Sequence, residues 1–82
     1  MKLKVYVLYS GDCWLSTSSL ETIGVFSDYK IMLDAIRSFA ERRVSSKREV
    51  IEDYVDEFIC NNNQTQGHNV NVMAETYTLN DY

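Results

Sequence analysis

The segment E-T-I-G-V-F-S-D-Y-K-I-M-L-D-A-I-R-S-F-A, residues 21–40, decides how the chain reads. Its first six residues are rich in β-branched and aromatic side chains, Ser27 and Asp28 interrupt them, and from Tyr29 the apolar positions recur every three or four residues. That change of period predicts a strand passing through a short break straight into an amphipathic helix. Ser27 or Asp28 supplies the cap, accepting hydrogen bonds from the first free N–H groups of the helix. Gly24 inside the strand marks a bulge or a close backbone approach. Over residues 29–43, Met32, Ala35, Ile36, Phe39 and Ala40 make an apolar face. The opposite face predicts the ion pairs Lys30 with Asp34 and Arg37 with Glu41, each contributing about 0.2–0.5 kcal/mol.

Upstream, residues 2–9 alternate, with Leu3, Val5, Val7 and Tyr9 on one side and Lys2, Lys4, Tyr6 and Leu8 on the other, the period of a first strand. Ser10-Gly11-Asp12 is a turn signal, and the hydroxyl-rich run around Trp14 reads as a long loop or a ragged edge strand. Downstream, Ser46 with Glu49 three residues on has the form of a capping box, which starts a second helix at Lys47. Its buried stripe is Val50, Ile51, Tyr54, Val55, Phe58 and Ile59, and Asn61-Asn62-Asn63 ends it because Asn tolerates a left-handed backbone. A polar loop carrying the one histidine, His68, leads to a last strand over residues 70–79, with Val70, Val72 and Ala74 on one side and Met73, Tyr77 and Leu79 on the other.

The order is therefore ββααβ: an α+β fold, one small domain over residues 1–82, with a three-stranded, mainly antiparallel sheet and two helices on one face. The place of the third strand in the sheet stays open. At 82 residues the chain is small enough that its stability is modest and a homodimer is in keeping with its size. Apolar residues at 45% and charged residues at 24%, with no proline, argue for a folded unit rather than a linker or a disordered segment. The basic, then apolar N-terminus is too short and tyrosine-rich for a signal peptide, and no run approaches the roughly 18 apolar residues of a membrane span. The expectation is a cytoplasmic protein. Cys13 and Cys60 have no metal-ligand or C-x-x-C spacing and read as free thiols, and the chain calls for no cofactor and no metal.

Residues 4–8 (K-V-Y-V-L), 23–27 (I-G-V-F-S) with Ala35, and 75–81 (E-T-Y-T-L-N-D) resemble small uncharacterised ββαβ-type proteins of bacteria and their phages. The resemblance covers about half the chain and implies the fold alone. The second helix and the Trp14 loop fall outside it, and no catalytic residues come with it.

Charge is laid out unevenly. All eight Lys and Arg lie in residues 1–48 beside five acids, for a net +3, whereas residues 49–82 carry seven acids and no base, for −7. Five of those acids, Glu49, Glu52, Asp53, Asp56 and Glu57, crowd the outer face of the second helix. Their i,i+4 pairs repel, each costing roughly a few tenths of a kcal/mol, and Asp56 and Glu57 sit toward the negative end of the helix dipole. Helix stability does not explain the stripe. Either it is a solvated face, neutralised in part by Arg37, Arg42 or Arg43 of the first helix, or it is an anionic surface for a basic protein partner, with Trp14 as an apolar anchor. A second reading uses Lys2, Lys4, Lys30, Arg42, Arg43, Lys47 and Arg48 with Tyr6, Tyr9 and Trp14 as a surface for single-stranded nucleic acid, against the overall acidity and without an RNA-binding signature. Catalysis would have to come from Cys13 as nucleophile, His68 as base and Asp12 as orienter, if their loops meet; no family spacing supports it, and the chain reads as a non-enzyme.

Overall fold

A computed structural model describes residues 2–12 and 15–80, so Cys13, Trp14 and Asp81 lie outside the described residues, as do the side chains of Lys2, Leu3 and Leu79. The elements are β1 (Lys2–Gly11), β2 (Glu21–Phe26), α1 (Tyr29–Arg43), α2 (Arg48–Cys60) and β3 (Asn71–Asn80), with a three-residue 3-10 turn at Thr17–Ser19 before β2. The expected ββααβ order is present. The sheet order is β2-β1-β3 and every pairing is antiparallel, so the first strand lies in the middle.

β1 runs on through Ser10 and Gly11, where the sequence predicts a turn, because the residues Asn71 and Val72 of β3 pair with them. The turn begins at Asp12, whose carboxylate accepts from the backbone N–H of Ser16 (3.2 Å) and from its hydroxyl (3.0 Å). In β2 the register shifts between Leu8, opposite Gly24, and Tyr9, opposite Thr22, so Ile23 is the extra residue of a bulge. Ile23 packs against the core from that position. Beside it, a Cβ on Gly24 would stand 2.9 Å from the tip of the Phe26 ring, which lies across it, so a larger residue there has to displace that ring.

Register places Tyr6 and Leu8 of β1, Phe26 of β2 and Ala74 of β3 on the face that the helices cover. α1 contributes Met32, Ile36, Phe39 and Ala40 to the core, and α2 contributes Tyr54, Val55 and Phe58. Fully burying an apolar side chain of this kind stabilises by about 1.5–3 kcal/mol, so these residues with Leu8 and Val72 hold the layers together. Two members of the expected α2 stripe lie elsewhere: Val50 is 37% and Ile59 45% exposed. They flank a stripe narrower than the sequence implies, its core members being Tyr54, Val55 and Phe58.

Asp28 caps α1, accepting from the N–H groups of Lys30 (2.8 Å) and Ile31 (3.3 Å). α2 has no such cap. Its helix begins one residue later than predicted, Lys47 stands at the cap position with no side-chain bond, and the Ser46–Glu49 capping box does not form. A neighbouring hydroxyl serves the backbone instead, that of Ser45 accepting from Lys47 N–H at 3.1 Å. The asparagine stop is borne out, with Asn62 and Asn63 at φ 54° and 61°. Residues 63–65 then turn back along β3: Thr65 N–H donates to Val72 C=O and Ala74 N–H to Asn63 C=O, both at 2.9 Å. They cover the outer edge of β3 at its start, and among the described residues nothing pairs with that edge from Glu75 onward. Among the described residues no helix is long and apolar enough to cross a membrane.

Candidate functional site

The acidic face of α2 divides into residues that hold the fold and residues that do not. On the flank next to α1, Glu52 accepts from Arg37 Nε at 3.2 Å, and Arg37 also reaches Asp34 at 2.9 Å. The predicted Arg37–Glu41 pair is therefore replaced by one across the helix–helix contact, where a partner from a second element is already held in place. On the other flank Glu57 fastens the loop before β3. Its Oε1 lies 2.9 Å from His68 Nε2, and its Oε2 accepts from Gln66 N–H at 2.6 Å. His68 is further fixed by its ring, 4.9 Å from that of Tyr54.

Between those flanks Glu49, Asp53 and Asp56 are exposed. Among the described residues no Lys, Arg or His comes within ion-pair distance of any of them. Arg42 and Arg43, offered by the sequence as neutralising groups, sit instead at the α1–α2 corner with Lys47 and Arg48, all four exposed. Arg43 lies over the Phe39 ring, 5.8 Å from its centre. The molecule thus carries a basic corner and an acidic helix face next to each other, and their charges are not spent on one another.

The aromatic residues named for nucleic-acid stacking do not form one platform. Tyr6 faces the helices, edge-on to Tyr29 at 5.3 Å, while Tyr9 belongs to the opposite face of the sheet. Tyr29 is tied down by donating its hydroxyl to Asn63 Oδ1 at 2.7 Å, and burial pushes its pKa up. Trp14, the proposed apolar anchor, lies outside the described residues.

The loops of Asp12 and His68 do meet, through a residue that sequence reasoning passed over. Asn71, fully buried, donates to the backbone C=O of His68 (2.9 Å) and of Asp12 (3.3 Å), and its Oδ1 accepts from the Thr65 hydroxyl at 3.0 Å. Thr65 in turn accepts from Val72 N–H at 3.0 Å. The contact is one of backbones. The Asp12 carboxylate serves Ser16, and the carboxylate on His68 is that of Glu57. Cys13 lies outside the described residues. Beside this junction is an open cleft of about 710 Å³ lined by Leu15, Gln64, Gln66, His68 and Met73 among others. Its walls are amides and apolar side chains with a single imidazole. Among the described residues no group of three or more His, Cys, Asp or Glu could hold a metal ion, and Cys60 is an exposed free thiol at the end of α2.

No protein-family model, curated protein or solved structure matches the chain. Its chemistry has to be read from its own surfaces.

Proposed function

We propose that the chain is a small, non-catalytic interaction module that binds a basic protein partner through the acidic face of α2. The supporting observation is the exposed trio Glu49, Asp53 and Asp56, whose mutual repulsion weakens the helix and is offset by no cation within ion-pair distance among the described residues. A basic surface laid along it would relieve that repulsion and steer the encounter. Trp14 is the apolar anchor in this reading, tryptophan being enriched among binding hot spots. Glu52 and Glu57 belong to the same face but serve the fold first, so their contribution to a partner is secondary. In this reading the chain works in the cytoplasm as an accessory protein of a phage or mobile element, and it does so as a homodimer.

The test is capture from lysate with the tagged full chain, with and without nuclease, beside a variant in which Glu49, Asp53 and Asp56 are changed to Lys. Those three are exposed and make no side-chain hydrogen bond or ion pair among the described residues, so the circular dichroism melt should hold while the captured protein is lost. A basic protein that resists nuclease and still binds the reversed face would overturn the proposal. A second reading is favoured by the exposed corner of Arg42, Arg43, Lys47 and Arg48: binding of single-stranded nucleic acid. It expects capture that nuclease abolishes, that falls steeply with salt, and that is lost on Arg42→Ala with Arg43→Ala.

A further inference from the structure

The helices cover one face of the sheet, and the other face is the more apolar of the two. Register sets Val5, Val7 and Tyr9 of β1 beside Val25 of β2 and Met73 and Tyr77 of β3 on that open face. None of the six is among the residues that make or touch the core. Val25 is 63% and Tyr77 45% exposed. An antiparallel sheet that meets water on one side ordinarily alternates apolar-in with polar-out. Here β1 is apolar on both sides, with Tyr6 and Leu8 toward the helices and Val5, Val7 and Tyr9 on its open side.

The surface area points the same way. A monomer of 9.5 kDa exposes about 5,000 Å². This chain exposes 5662 Å², an excess of roughly 600 Å² over that expectation. A specific interface buries about 600–1,000 Å² on each partner. That excess, summed over the whole chain, is of the size that one protein contact removes.

We infer that the open face of the sheet is the contact surface of a homodimer, two copies packing sheet against sheet with the helices outward. The occupant is a second copy rather than a different protein because the face offers almost no charge to select one. Glu75 is its one charged residue whose side chain is described, and that carboxylate already accepts the hydroxyl of Tyr77 on the same strand. That bond pushes the pKa of Tyr77 up to about 12, so the phenol stays neutral and remains a donor. A twofold axis running along β1 sets the β3 of each copy across from the β2 of the other. The two Glu75 carboxylates then lie at opposite margins and do not face one another. Both acidic helices remain outside, so this inference stands whether or not α2 binds a basic partner.

Sedimentation equilibrium over a concentration series tests it on the full chain, with Val25→Lys, Tyr77→Lys and, as a control on the far side of α1, Ser38→Lys. The wild type and the control should rise from 9.5 kDa toward twice that mass. Each face variant should weaken the dimer by at least about tenfold, with an unchanged far-ultraviolet dichroism spectrum, since both side chains are well exposed in the single chain. A wild type that stays at the monomer mass throughout overturns the inference. So does a dimer indifferent to both face variants, which would pair through some other surface such as the open edge of β3.

Discussion

Replacing Phe58 by Ala should cost about 3–5 kcal/mol, because the ring is fully buried and the surrounding side chains can only partly close the space. For a chain of this length total stability is about 4–12 kcal/mol, so the variant is expected to sit near the edge of unfolding. Chemical denaturation followed by far-ultraviolet dichroism gives the number. The informative comparison is Ile59→Ala, the next residue along and an equal member of the stripe seen in the sequence. Ile59 is 45% exposed, so its truncation should cost about 1 kcal/mol or less. Equal costs at the two positions would mean that α2 is rotated on the sheet from the orientation described.

The second large effect concerns a polar residue. Thr65→Val keeps the shape of the side chain and removes a hydroxyl that accepts from Val72 N–H and donates to Asn71 Oδ1. Both groups lie where the side chains of Thr65 and Asn71 are fully buried, and each group left unpaired there costs about 1–3 kcal/mol. The expected loss is therefore comparable to that of a large apolar residue, although no apolar contact has been removed. Thr65→Ser, which restores the hydroxyl, should recover most of it. A Thr65→Val protein with an unshifted denaturation midpoint would show that water reaches these groups. Asn71 also ties the His68 loop to the Asp12 turn, so the same substitution should loosen that end of the sheet. Faster amide exchange at Gln66 and Val72 would report it.

What the sequence made legible was periodicity. The change at Ser27-Asp28 from strand to helix, the extent of α1 and the asparagine stop of α2 all depend on local backbone preference, and all stand in the structure. The features that could not be read depend on which segment arrives next to which. Sheet order is one, since alternation shows that β1 has two faces but not that both its edges are paired. The buried pair Thr65 and Asn71 is another, because each becomes a core residue only by meeting the other. The acidic stripe of α2 was visible as a charge pattern, but its division was not. Glu52 and Glu57 are distinguished from Glu49, Asp53 and Asp56 by Arg37 and His68, which come from other parts of the chain. The open sheet face could be listed from alternation in β1 and β3, yet nothing in one chain's pattern says which side the helices will choose.

The central position of β1 bears on how the protein is made. Its first neighbour, β2, follows it closely, and a nascent chain can form that hairpin as soon as Phe26 has left the ribosome. Its second neighbour is the last element of the described chain, with Lys2 paired to Asn80. Throughout the synthesis of both helices the far edge of β1 has no strand to pair with, and closing so long a loop is slow. An unpaired edge flanked by valines and tyrosines is a template for other nascent copies. The step that completes the sheet is therefore also the one that ends its exposure, and a chaperone that shields β1 until Asn71–Asn80 emerges would matter more for yield than any gain in the stability of the finished fold.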